Sequence, residues 1–454
     1  MALLEVKSLP LFMEGEHFLM ETTKEKQASE LNIWAFWKAQ KPDWRITVIR
    51  TSLERLGYKM ILPYLSLFII LLGATKTQLG LVTSAGMLVA GFLGPIIGQQ
   101  IDRHGPKKVY VLGILVLIGG YLAFAGAKTW QIGVLGMFLH QMGATLSGQS
   151  CANICGNCLA NCDRAKGMLV CESLAAGVLG MVGPMLSGWF LVNIMGVIGT
   201  PTKAEQIRPL FYIVLCICIV SLFVVIFCLK LKDWNYNRAS TNAKKRNVIQ
   251  DATAIFRADK NCVKWVFISA IGRMPMALVI PYMQLYAAEV KGASAMTLSG
   301  MVTATAFTSV ICGYALGILS DKYGRKKILG ASIGLYLIGL TIMLVSKNPS
   351  ALIIVGILAG FQELSMTLAG SMQHELVPAW VRGRWSGVLA LTGSFVSAGM
   401  AALSGIIYDK IGAQWVFIIY IVFELAIRVP LLFSMPETLT YKVDDEKFAK
   451  EFGM

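Results

Sequence analysis

The chain has 454 residues, of which 56% are hydrophobic and only 15% charged, with a formal net charge of +15. A soluble protein of this length carries about 25% charged residues, so a water-soluble globular fold is excluded. A strongly basic balance would suit a nucleic-acid partner, but the cations sit in turns between apolar runs, which assigns them to a membrane surface instead.

Residues 1–44 are polar and lack an apolar core followed by small residues, so no cleavable leader is expected. Within this tail, the run Leu31-Asn-Ile-Trp-Ala-Phe-Trp37, with Trp44, has two readings. It lies along the membrane face, where indoles favour headgroups, or it stays loosely ordered. Apolar runs of roughly 20 residues, enough to cross about 30 Å of hydrocarbon, then predict twelve helices. They fall at about 46–72, 79–101, 109–127, 131–158, 168–193, 209–230, 263–290, 297–320, 328–346, 351–378, 386–408 and 414–434. The chain thus divides into a tail (1–44), a six-helix bundle (45–230), a polar linker (231–262), a second six-helix bundle (263–434) and a tail (435–454).

The two bundles are one pattern repeated. Arg55-Leu-Gly-Tyr-Lys-Met-Ile-Leu-Pro63-Tyr64 recurs as Arg273-Met-Pro-Met-Ala-Leu-Val-Ile-Pro281-Tyr282. Gly98-Gln-Gln-Ile-Asp102-Arg103-His-Gly105-Pro-Lys107-Lys108 recurs as Gly317-Ile-Leu-Ser-Asp321-Lys322-Tyr-Gly324-Arg325-Lys326-Lys327. Arg164 and Arg382 match in a later turn. All three matches share nearly one offset, about half the chain. In so apolar a sequence this predicts an all-α membrane protein whose pseudo-symmetric halves meet across a central cavity.

Counted from a cytoplasmic N-terminus, the inner turns hold Arg103, Lys107, Lys108, Arg164, Lys166, Lys322, Arg325, Lys326, Lys327, Arg382 and Arg384. The outer turns hold mostly single cations, such as Lys76, Lys128, Lys291 and Lys347. That asymmetry places both termini in the cytoplasm. Compact loops suit a plasma (inner) membrane.

The repeated turn has a physical logic. Gly98 and Gly317 are expected to let helices approach closely. Asp102 and Asp321 place carboxylates where a helix N-terminus or a guanidinium can meet them. Gly105 and Gly324 provide the reversal. The turn resembles the signature between helices two and three, and eight and nine, of the major facilitator superfamily, and the resemblance covers about 45–435. Pro106 departs from the usual arginine or lysine. The resemblance implies that the turn latches the halves together, with Gly98, Asp102, Arg103, Gly105, Arg164, Gly317, Asp321, Gly324, Arg325 and Arg382 as gating residues. The alternative is that they only fix topology. In the fifth predicted helix, Gly177-Val-Leu-Gly180-Met-Val-Gly183-Pro184-Met-Leu-Ser187-Gly188 is similar to the glycine-proline motif of the family's proton-linked antiporters. Gly183, Pro184 and Gly188 are then a bend that favours efflux; close packing is the plainer account.

Ionisable groups at membrane depth are costly and mark function or pairing. Arg55 and Arg273 approach the midplane, where they either face one cavity and bind a carboxylate or phosphate or are neutralised within their own bundles. Tyr64 and Tyr282, and Gln149 of the fourth helix, are expected beside them in the pocket. Glu54 is the first candidate for proton carriage and Glu363 the second. Glu424 and Arg428, four apart, read as an internal ion pair. His374 and Glu375 read as interfacial. Cys151, Cys155, Cys158 and Cys162 form a stripe, with Cys171 beyond it. Soft sulfur ligands suit copper-like ions, but small residues for tight packing explain the stripe better, and four thiols on one straight helix cannot surround an ion without help from elsewhere. No resident metal and no cofactor are expected.

The sequence therefore predicts a monomeric secondary transporter that moves a small organic compound outward in exchange for protons. The alternatives are an organic-anion or lipid-headgroup exchanger using Arg55 and Arg273, a soft-metal carrier using the cysteines, and a receptor that transports nothing. No nucleotide loop, metal-hydrolase spacing or nucleophile elbow points to an enzyme.

Overall fold

The computed structural model describes residues 33–158, 171, 177–230, 248–378 and 380–452. Among them, twelve helical spans fall into two sets of six. Spans 1–6 are Pro42–Ile61 with Leu65–Leu71, Lys76–His104, Pro106–Gly126, Trp130–Cys158, Leu179–Asn193, and Ala204–Phe223 extended by a π-turn, Val224–Cys228. Span 7 runs as Lys260–Met274, a π-turn Pro275–Val279, and Ile280–Glu289. Spans 8–11 are Ala295–Tyr323, Arg325–Val345, Ala351–Glu375 and Arg382–Lys410. Span 12 is Trp415–Phe423, a π-turn Glu424–Arg428, and Val429–Phe433. Eight of these stretches are long and apolar enough to cross a membrane by length and composition. Span 1 carries Arg45, Arg50, Glu54, Arg55 and Lys59, a density of charge that ordinary lipid-facing helices do not tolerate.

The repeat extends to the backbone. Thr75 and Ser294 N-cap spans 2 and 8, accepting from the amides of Gln78 and Thr297 at 3.1 and 3.2 Å. Gly105 and Gly324 turn the chain with φ of +83° and +98°, a region that glycine enters without strain. Just past each turn a lysine caps the last carbonyls of its half. Lys107 donates to Ile226 (3.1 Å) and Leu229, and Lys326 to Met435 (2.7 Å) and Phe433 (3.3 Å). We call the end bearing these turns the basic end, and the opposite end the far end.

The halves meet along spans 2 and 11 and along spans 5 and 8, where small residues allow backbone approach. A Cβ on Gly80 would lie 2.5 Å from the Ala401 carbonyl, and one on Gly188 would lie 2.7 Å from the Ser299 hydroxyl. At the far end, polar contacts seal this seam. The Tyr64 hydroxyl donates to Ala295 O (2.8 Å) and meets the Ser299 hydroxyl (2.5 Å). Tyr282 answers from the other half by donating to Lys76 O (3.0 Å). Thr77 donates to Asp409 through its amide (2.8 Å) and hydroxyl (2.7 Å), and Lys76 pairs with Glu289 (3.2 Å).

The segment expected to be a polar linker contains a helix, Val248–Ala258, held to span 11 by Asp251–Arg384 at 3.9 Å. Arg384 also stacks over Phe452 of a C-terminal helix, Asp445–Phe452. Near the N-terminus, the helix Ile33–Ala39 brings Phe36 and Trp37 against Trp44. Trp44 is fully buried, packed with Cys155 and Cys171. It belongs to the protein core and not to the membrane face.

Candidate functional site

The two halves are joined at mid-span by an ion pair. Lys59 of span 1 reaches Glu363 of span 10, Nζ to Oε1 at 3.2 Å, and Ser309 of span 8 donates to Oε2 at 2.8 Å. Lys59 is buried, whereas the Glu363 side chain is 44% exposed. Span 5 makes room for the lysine. A Cβ on Gly183 would lie 3.4 Å from Lys59 Cβ and 2.7 Å from the Leu56 carbonyl, and one on Gly180 would lie 4.0 Å from Lys59 Cγ. The glycines beside Pro184 therefore form the groove through which the Lys59 stem passes. Pro184 lies inside its helix, and the Ser187 hydroxyl donates to its carbonyl at 2.9 Å.

Arg55 precedes Lys59 by one turn on the same face. It is exposed, makes no ion pair among the described residues, and adds its positive charge to the surroundings of Glu363. Arg273, its counterpart in span 7, is half-buried and likewise without an ion pair among the described residues. Its stem fits a notch on span 11, where a Cβ on Gly393 would lie 2.6 Å from Arg273 Cδ. Spans 1 and 5 thus repeat in spans 7 and 11 the same device, a cationic stem laid against a glycine.

Glu54 does not face this site. It pairs with Arg50, four residues earlier, and accepts from the Ser147 hydroxyl at 3.4 Å. Arg50 is buried and stacks over Tyr110 at 4.6 Å, so the pair is internal to the N-terminal half. Glu424 and Arg428 form the matching internal pair of the C-terminal half, at 2.9 Å, with Tyr420 donating to Glu424 at 2.7 Å. Gln149 is half-buried on span 4, and its carbonyl accepts from Asn153 at 2.9 Å. Tyr64 and Tyr282 are fully buried in the far-end seam, with their hydroxyls engaged across it.

Among the turn residues, Gly98, Asp102 and Arg103 lie in span 2. The side chains of Asp102 and Arg103 lie outside the described residues, as does Arg164. In the second copy, Asp321 pairs with Arg325 at 3.5 Å, and Arg325 pairs with Glu375 of span 10. Glu375 is therefore a structural partner and not merely an interfacial group. Arg382 donates to His374 O at 3.0 Å. These contacts stay within the C-terminal half. Glu437, beyond span 12, accepts from the amides of Arg325 (2.9 Å) and Lys326 (3.2 Å), a carboxylate at the N-terminus of span 9. A Cβ on Gly317 would meet nothing within 4 Å among the described residues, and the start of the facing span 5 lies outside them.

Sequence reasoning passed over Lys59 and Arg50. The signal for Lys59 was its four-residue spacing from Arg55; its partner, 304 positions away, had no local signal.

The Major Facilitator Superfamily family model matches residues 48–301 and 265–451. The chain is similar to the multidrug resistance protein MdtG of Escherichia coli strains UMN026 and SE11, 23% identical over 293 residues. That match covers 60% of this chain, which spans 64% of the length of those relatives. Among solved structures, the fold is similar to the nucleoside transporter NupG, with a TM-score of 0.66, 14% identity, and 88% of this chain and 99% of that one covered. It is also similar to a POT family transporter in complex with a thioalcohol-conjugated peptide, with a TM-score of 0.65, 14% identity, and 88% and 96% covered. Two six-helix halves, a glycine-turned basic end repeated in both, and a family model spanning nearly all of the chain agree: this multi-pass membrane protein belongs to the major facilitator superfamily.

Proposed function

We propose that the chain is a secondary transporter that exports a small organic compound in exchange for protons, with Glu363 as the coupling carboxyl and Lys59 as its switch partner. The observation that carries this reading is the ion pair between halves at mid-span. A carboxyl whose cationic neighbour withdraws when the halves rock binds a proton with different affinity in the two states, which is what coupling requires. Protonation of Glu363 releases Lys59 and loosens the contact between the halves; deprotonation restores it. The Gly183-Pro184 segment lies against this lysine, and the name of the similar Escherichia coli proteins, multidrug resistance protein, supports outward movement. The basic end is taken as cytoplasmic and the membrane as the plasma membrane, so the sealed far end corresponds to a state closed to the outside. Glu54, held by Arg50, is the weaker coupling candidate.

Purified protein in proteoliposomes tests this with a panel of cationic dyes and organic anions. Glu363→Gln should abolish flux driven by a pH gradient while leaving exchange of labelled for unlabelled substrate. Unchanged pH-driven flux in that variant rejects the assignment. A second reading, an organic-anion exchanger, is favoured by Arg55 and Arg273, which stand without ion pairs among the described residues. Neutralising either then removes anion transport and spares cationic dyes.

A further inference from the structure

Apart from the ion pair at mid-span, the N-terminal half holds a second group of reactive side chains. Cys151 and Cys155 lie one turn apart on span 4, and the third thiol, Cys171, comes from beyond the end of that helix. The three Sγ atoms all lie within 4.8 Å of one another. A straight helix cannot wrap an ion with its own thiols, but a sulfur from outside the helix closes a triangle. Trigonal coordination at the usual metal–sulfur distance of about 2.3 Å sets three sulfurs roughly 4.0 Å apart, so the cluster needs only a modest contraction. None of the three is in a disulfide. Cys155 and Cys171 are buried against Trp44 and Val48, and Cys151 is half-buried. Thr51 of span 1 places its hydroxyl 3.2 Å from the Cys151 sulfur, positioned to donate to it once it is a thiolate.

We propose that Cys151, Cys155 and Cys171 form a three-thiolate site for one soft, thiophilic cation of the d¹⁰ class. Sulfur-only donors in an apolar wall select such ions over hard, oxygen-seeking ones. Binding releases the thiol protons to solvent as the metal–sulfur bonds form, with no change of oxidation state. Every residue of the cluster belongs to the N-terminal half, behind span 1, so the ion is resident and not cargo on a path between halves. It pins span 4 to the chain entering span 5, the span whose glycines accommodate Lys59.

The test uses the reduced full-length chain in lipid nanodiscs, titrated with Cd²⁺ and followed by thiolate-to-metal charge-transfer absorption and by thermal unfolding. The expected result is one tight Cd²⁺ per chain with the intensity of three thiolates and a raised unfolding temperature. Cys155→Ser and Cys171→Ser should each weaken binding at least about tenfold and remove the thermal gain. Cys216→Ser and Cys228→Ser, at exposed positions, should change neither. Binding that survives Cys171→Ser, binding lost with the exposed cysteines, or a mass showing a disulfide within the cluster would each overturn the site. Should Cys171→Ser fail to fold, the proposal stands or falls on Cys155→Ser and Thr51→Val, the latter expected to weaken the ion without lowering metal-free stability.

Discussion

Lys59 is expensive alone and tolerable beside Glu363, because removing the carboxylate leaves a buried ammonium without its partner. Lys59→Glu and Glu363→Lys should each abolish pH-driven flux, and the double exchange should recover part of it; proteoliposome flux in the three variants checks this. Glu424 and Arg428 offer the contrasting case, at 0% and 1% exposure and within one half. Glu424→Gln should destabilise by about 3–5 kcal/mol, read by chemical denaturation in detergent, whereas changing both residues to leucine should cost far less. Sequence exposed these residues unevenly. A spacing of four was enough to pair Glu424 with Arg428. Arg55 stood out by its repeat, but Lys59 has alanine at its counterpart, Ala277, so the repeat did not flag it. A charge in an apolar run announces its cost and not its partner, and the partner of Lys59 lies in the other half of the chain.

Whole elements were easier to read than contacts. The twelve spans were expected from the sequence, and eight of them show by length and composition alone what a membrane imposes. The turn glycines, Gly105 and Gly324, were legible for the same local reason. What was not legible is which glycines bring helices together, since that depends on the facing helix: Gly183 abuts the Leu56 carbonyl, while a Cβ on Gly148 meets nothing among the described residues. Gly183→Ala should therefore push span 5 from span 1 and lower transport several-fold with the fold retained. Gly148→Ala, where a Cβ meets nothing within 4 Å, should be neutral in the same flux assay. The capping of span 9 was also hidden, because Glu437 lies far along the chain. Glu437→Ala should lower stability by about 1–2 kcal/mol, visible as a lower unfolding temperature.

At the scale of the molecule, a few polar contacts hold the far end closed, and the proposed transport cycle makes this one side of an equilibrium. Each hydrogen bond between halves contributes about 1 kcal/mol net, so Tyr64→Phe or Tyr282→Phe should shift the population toward the open far end roughly fivefold, since about 1.4 kcal/mol is a factor of ten. Distances between spin labels placed on the loops at 73–75 and 291–294 measure this; an unchanged distribution in both variants argues that the seam is held by packing alone. The two tyrosines are mirror bolts: each is anchored in one half and shot into the frame of the other. If each half moves as a unit, drawing one bolt drags its twin and leaves no comfortable halfway position. The door should therefore swing in a single concerted stroke, with intermediate apertures too fleeting to admit a solute from both sides at once.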